Sequence, residues 1–272
     1  MAYRILAFDS GIGGLSIIQN LYPLLENYAL DASISFLADS LVFPYGEQED
    51  AFLIERIIDL IDRAIRKLQP DIIIIACNTA STIALDQLRA LYPTILFVGC
   101  VPPIKWAAQI SQSKHIGLLA TRATVSRSYL VHLKQHFASD CELIAYGSPI
   151  LASIAEKIFQ NQPYNSHVIK QELQNLLSLP YAEKIDVICL GCTHYTFILE
   201  QLRYFSPKPI QWLDPAHAVA KHTVDLLQTQ CSPSSNKRKL DSVFYHTSAS
   251  YKDKTFFEKI KRLGFNTITQ FV

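Results

Sequence analysis

Four consecutive isoleucines, residues 72–75, run straight into Ala76, Cys77, Asn78 and Thr79. A strand with one wet face alternates apolar and polar residues. A strand apolar at every position is buried on both faces, as happens inside a parallel sheet covered by helices. Parallel neighbours need crossover connections of a dozen or more residues, usually helical. The rest of the chain supplies them. YRILAFD (3–9), SISFLAD (33–39), DIIIIAC (71–77), TILFVGC (94–100), HIGLLAT (115–121), CELIAYG (141–147), DVICLGC (186–192) and SVFYHTS (242–248) read as strands. Between them lie helical patterns such as FLIERIIDLIDRAIRKLQ (52–69) and AHAVAKHTVDLLQTQ (216–230), and TFFEKIKRLG (255–264) closes the chain. The alternation predicts α/β architecture with parallel sheets and helices on both faces.

Open sheets of this kind hold ligands outside the carboxyl ends of their strands. Two of those ends echo each other. IIIIACNTA and VICLGCTHY both read as an apolar run, a small residue, a cysteine and two hydrogen-bonding residues at a helix start. The echo predicts two similar α/β lobes, each offering one thiol, Cys77 and Cys192. A free cysteine is ordinarily a small buried hydrophobe, and that reading suits Cys100, Cys141 and Cys189. At a strand-to-helix junction the helix amides favour an anion, so Cys77 and Cys192 are candidate reactive thiols. Cys189 and Cys192 also form a CxxC, which admits a redox pair or half a zinc site. No second CxxC occurs, and residues three apart on a strand face opposite ways.

The other strand ends add polar groups. FDSGIGG places Asp9 and Ser10 before a glycine-rich turn; Ser16 stands where a dinucleotide fingerprint needs its third glycine, and no Walker lysine follows. Asp9 can handle a proton or hold an ammonium. Tyr45 and Gly46 lie in a loop after the second strand. Thr121 and Thr124 follow the fifth, and Thr193 and His194 follow Cys192. Hydroxyls, Asn78 and helix amides make a bed for carboxylates. Three readings fit: a cofactor-free enzyme using both thiols, a binding protein for an amino acid, or an amide hydrolase with one nucleophilic cysteine.

Bulk properties narrow the partners. The net charge is +1 over 272 residues, so no global field favours nucleic acid or an acidic membrane. The basic run Lys237-Arg238-Lys239 sits in a polar stretch and reads as a solvated loop. No stretch approaches the ~18 apolar residues of a membrane span. MAYRILAFDSGIGG enters a strand directly, without signal-peptide character, and six scattered cysteines suit a reducing, cytoplasmic compartment.

FDSGIGGLS, FPYG, ACNTAS, ATRATV and LGCTHY, in this order, resemble the glutamate racemases of the aspartate/glutamate racemase superfamily. The resemblance runs from about residue 5 to the final helix. It implies two α/β lobes, residues 1–95 with 211–272 and residues 96–210, with the active site in the cleft between them. It implies interconversion of L- and D-glutamate without cofactor or metal, supplying D-glutamate for peptidoglycan. Cys77 and Cys192 match the catalytic thiols, the first serving D-glutamate and the second L-glutamate, and Asp9 and His194 match the groups assisting them. Ser10, Tyr45, Gly46, Asn78, Thr79, Thr121 and Thr193 match substrate-binding positions. Glu156 falls near a supporting glutamate. Family members are commonly dimers, so a homodimer is the assembly implied. Ser40 stands where many members have threonine, and Pro102-Pro103 where many have Glu-Pro.

Overall fold

The computed structural model describes residues 2–231, 241–248, 251 and 253–272. The basic run 237–239 lies outside the described residues. In chain order the elements are β1 (Tyr3–Asp9), α1 (Leu15–Asn27), β2 (Ala32–Ala38), α2 (Asp50–Leu68), β3 (Ile72–Ile75), α3 (Asn78–Leu91), β4 (Leu96–Gly99), α4 (Ile104–Ile110) and β5 (His115–Thr121). There follow α5 (Arg122–Ser126), α6 (Ser128–Phe137), β6 (Glu142–Ser148), α7 (Leu151–Phe159), α8 (Ser166–Leu177), β7 (Val187–Gly191), α9 (Leu199–Phe205) and β8 (Gln211–Leu213). The chain ends with α10 (Ala216–Thr229), β9 (Val243–His246), α11 (Lys254–Arg262) and β10 (Thr267–Gln270). Short 3-10 turns span Tyr45–Glu47, Ala182–Lys184 and Thr193–Ile198.

The chain divides into two compact units, residues 1–100 with 216–272, and residues 101–215. In the first, six strands lie in the order β10-β9-β2-β1-β3-β4, every pair parallel. All four isoleucines of β3 are buried, as a strand packed on both faces requires. On one side of the sheet α2 presents Leu53, Ile57, Leu60, Ile61 and Ala64, an i, i+3, i+4 stripe, to a core that includes Leu6, Phe8, Ile73 and Ile75. Gln69 ends α2 in a left-handed conformation, and Pro70 prevents continuation. Around Phe244 of β9 an aromatic cluster forms: Phe36 stacks on it at 5.3 Å, and Phe256 and Phe265 meet it edge-on.

The second unit has four parallel strands in the order β6-β5-β7-β8. Its core includes Ile116, Leu118, Val187 and Cys189 from the sheet, with Ile104 of α4 and Leu130 and Leu133 of α6.

Two sequence expectations need correction. A boundary at 95/96 and 210/211 would detach β4 and β8 from the sheets that satisfy their backbone hydrogen bonds. β4 pairs with β3 (Ile75 opposite Gly99) and β8 with β7 (Cys189 opposite Leu213). The last strand is also not β9. β10 follows α11 and pairs with β9 at the sheet edge.

Strand order β2-β1-β3-β4 in the first unit repeats as β6-β5-β7-β8 in the second. In each, the chain steps from the first strand to one side, then crosses back to place its next strand on the other. The first and third strands of each four therefore flank the point where strand order reverses. There neighbouring loops diverge and open a crevice.

Candidate active site

Asp9 ends β1 and Cys77 follows β3, so both stand at the reversal point of the first sheet. Asp9 is fully buried. Its Oδ1 accepts hydrogen bonds from Ser10 Oγ at 3.2 Å and from the Gly11 amide at 3.1 Å. Cys77 Sγ lies 3.9 Å from Ser10 Oγ. The order is therefore thiol, hydroxyl, carboxylate. The glycine-rich turn serves space rather than unusual backbone, since Gly11, Gly13 and Gly14 are not in left-handed conformations. A Cβ at Gly14 would stand 2.5 Å from Ala76 Cβ and 3.2 Å from Asp9 Oδ2. Only glycine lets α1 start this close to the residue before Cys77.

Cys77 is the N-cap of α3, with Asn78 and Thr79 as the first helical residues. All three are buried. The amides of a first helical turn lack intrahelical partners and favour anions. The Nδ2 of Asn78 is buried with no hydrogen-bond partner, whereas a buried amide donor is ordinarily satisfied.

Tyr45 sits at the start of a 3-10 turn that also carries Gly46. Its hydroxyl donates to Asp39 Oδ2 at 2.6 Å. Asp39, at the end of β2, is fully buried and is bound in bidentate fashion by Arg56 of α2, at 2.5 and 2.6 Å; Thr247 Oγ1 donates to it at 2.7 Å. Burial, then the Asp39 charge, pushes the Tyr45 phenol well up, so it stays a donor. Bound to Asp39, that hydroxyl holds the turn that carries residues 45 and 46. Sequence reading missed Asp39 and Arg56. The signal available was Asp39 itself, a strand-end carboxylate like Asp9.

The second unit repeats the scheme with other chemistry. Cys192 follows β7, and Thr121 ends β5, again at the reversal point. Cys192 Sγ lies 3.8 Å from His194 Nδ1, and His194 Nε2 lies 3.2 Å from Glu156 Oε1. All three are buried. Here the order is thiol, imidazole, carboxylate. Glu156 projects from α7, which packs on the 3-10 turn carrying Thr193 and His194; Phe159 meets Phe197 edge-on at 5.2 Å across that contact. Gln160, one turn on, donates to Glu156 Oε2 at 3.1 Å and fixes the carboxylate. Thr121 caps α5, its Oγ1 accepting from the Thr124 amide and lying 2.9 Å from Thr124 Oγ1. Gly191 is a close-contact glycine, because a Cβ there would stand 2.7 Å from Ala120 Cβ.

Cys189 is part of the apolar core, and burial pushes its thiol far up, so it remains a neutral hydrophobe. Burial likewise raises the Cys141 thiol. Among the described residues, no cluster of three or more His, Cys, Asp or Glu is placed to hold a metal ion. No described helix is long and apolar enough to cross a membrane.

The sequence family described as Asp/Glu/hydantoin racemase matches residues 30–223. The chain belongs to that family. Glutamate racemase from Granulibacter bethesdensis is 43% identical over 226 residues, covering 83% of this chain and 79% of that protein. The Brucella anthropi glutamate racemase is 40% identical over 224 residues, 82% of this chain and 79% of that one. The crystal structure of Escherichia coli glutamate racemase, in complex with L-glutamate and the activator UDP-MurNAc-ala, is 30% identical and superposes with a TM-score of 0.90 over 100% of this chain and 99% of that one. The protein is an amino-acid racemase of the glutamate racemase kind. The thiols and their attached carboxylates therefore sit in the scaffold of an isomerase.

Proposed function

We propose that this racemase interconverts L- and D-glutamate without a cofactor, using Cys77 and Cys192 as the two acid–base groups, and that its D-glutamate feeds peptidoglycan synthesis. The observation that carries the reading is the repetition at the strand ends. Each sheet places a cysteine after its third strand, at its reversal point, and leads from it to a buried carboxylate.

Racemisation inverts one carbon. A thiolate on one face removes the α-proton and becomes a thiol. The electron pair left on carbon delocalises into the α-carboxylate. A thiol on the other face then protonates the carbon and becomes a thiolate. One group must begin deprotonated and the other protonated, which two titratable groups with separate proton partners provide. Asp9, through Ser10, manages the proton of Cys77, and His194, oriented by Glu156, manages that of Cys192. Asn78 Nδ2, the hydroxyls of Ser10, Thr79, Thr121 and Thr193, and the amides of residues 45 and 46 hold the charged groups of the substrate. Fixed donors in a dry site stabilise the charge that develops on the carboxylate. The identity of the relatives supports glutamate as the substrate.

The test takes one thiol at a time, with proton NMR in heavy water and each pure enantiomer. Cys192→Ala should lose racemisation while exchanging the α-proton of D-glutamate, which Cys77 serves. Cys77→Ala should exchange only L-glutamate. Full racemisation by either variant, or exchange of the same enantiomer by both, would overturn the mechanism. Expression in a bacterium that requires D-glutamate should remove the requirement. Continued dependence would sever the link to the cell wall.

A further inference from the structure

Asn78 has an amide with one end occupied and the other open. Its Oδ1 accepts a hydrogen bond from Cys100 Sγ at 3.6 Å, while its Nδ2 is buried with no partner. Cys100 follows β4, beside β3, and is fully buried. Its position is fixed by the backbone. The Cys100 amide donates to Ile75 O at 3.1 Å and to Ser81 Oγ at 2.9 Å, and Ser81 Oγ donates in turn to Ile75 O at 2.8 Å. The thiol is therefore held against one end of the Asn78 side chain by a three-membered lock at the ends of β3 and β4.

An amide can sit either way round in the same space, and its neighbours decide which end faces where. A thiol is a donor, though a weak one, and offers only a poor acceptor. Against it the amide turns its oxygen inward and its nitrogen outward. Presented this way, Asn78 offers donors alone, beside the helix-start amides of α3 and the Cys77 thiol. That is the pattern an anionic carboxylate needs. Turned over, it would aim an oxygen at the same anion.

We infer that Cys100 is a positioning residue for the racemase: its thiol sets the orientation of the Asn78 amide so that Nδ2 faces the substrate carboxylate. The inference rests on the function proposed above and extends it to a residue with no direct substrate contact. Cys100 acts on binding, not on proton transfer. Its loss should raise KM for both enantiomers and leave kcat nearly unchanged.

The experiment measures KM and kcat for L- and D-glutamate, with glutamate affinity by calorimetry, in the full-length protein. Cys100→Val removes the donor at similar volume and should raise KM about three- to ten-fold, the effect of one modest hydrogen bond. Cys100→Ser restores a donor and should return KM to within about two-fold of wild type, on the same scale. Asn78→Ala should raise KM by itself, and adding Cys100→Val to it should change nothing further, because the thiol would have nothing left to orient. Thermal unfolding of each variant separates loss of fold from loss of affinity, and Cys100→Ala serves if the valine does not pack. Wild-type KM in both Cys100→Val and Cys100→Ala, or additive effects in the double variant, would overturn the inference. A wild-type protein that neither binds nor racemises glutamate would overturn the functional reading along with it. Racemisation of glutamate by wild type with an unaffected Cys100→Val would overturn only the role of Cys100.

Discussion

The Nε2 atom of His194 lies 3.2 Å from Oε1 of Glu156, both side chains being buried. An ionised carboxylate only accepts, so this contact keeps a proton on Nε2. In the neutral ring Nδ1 is then the acceptor, and Nδ1 is the atom 3.8 Å from the Cys192 thiol. The glutamate thus selects the tautomer that can take the thiol's proton.

Replacing His194 with asparagine should lower kcat by roughly 10²–10⁴-fold, the usual worth of a positioned proton-transfer group, with KM little changed. Glu156→Gln can donate to Nε2 and so favour the wrong tautomer. It should lower kcat by roughly ten- to a hundred-fold, a smaller loss than removing the imidazole. Steady-state kinetics with each enantiomer checks both. A rise in KM alone would make either residue a substrate contact instead.

Around Asp39 the electrostatics are structural. The carboxylate is fully buried and takes hydrogen bonds from Arg56, Tyr45 and Thr247. Arg56→Leu would strand a buried charge and should destabilise the protein by about 3–5 kcal/mol. Tyr45→Phe removes one neutral donor and should cost about 1–3 kcal/mol. Urea unfolding of both variants gives the comparison. Equal losses would mean that the ion pair does not hold the carboxylate.

Acid should act on the second unit through Asp186. Burial raises this carboxyl, but hydrogen bonds from Ser113, Ser111 and Gln112 outweigh it, and its pKa lies below the ordinary carboxylate value. A depressed folded-state pKa adds stability that is fully present above the unfolded value, about 3.9 for aspartate, and is lost as pH falls through the folded value. The urea midpoint of wild type should therefore drop below about pH 4 more steeply than that of Asp186→Asn. Parallel curves from pH 6 to 3 would show that Asp186 does not contribute to acid sensitivity.

What the sequence disclosed follows from how local each signal is. β1 and β5 are buried apolar runs ended by polar residues, and both have the bounds that reading assigns. β10, TITQ, is a four-residue edge strand with a mostly exposed pattern, which carries almost no periodic signal. α4 and α9 are about two turns each, too short for a 3.6-residue repeat to stand out. At the site, residues directly after strands were legible because the sheet rule points to them. Asp39 follows a strand too, but its partner Arg56 lies inside the helical pattern 52–69 and not at a strand end, so the sheet rule does not point to it. Cys100 read as filler because nothing local reveals that β4 sets its thiol against Asn78.

The first unit is assembled from the two ends of the chain, whereas the second is one continuous stretch. This imposes an order on synthesis. When residue 215 has been made, everything the second unit needs is present, and it can fold while the ribosome is still at work. The first unit then has β2 as an open edge, with Phe36 lacking the cover that Phe244 and Phe265 later give it. A bare parallel edge beside an uncovered aromatic ring is adhesive. Rapid completion of residues 216–272 is thus a condition of yield, and slow translation there should cost soluble protein even where the finished enzyme is stable.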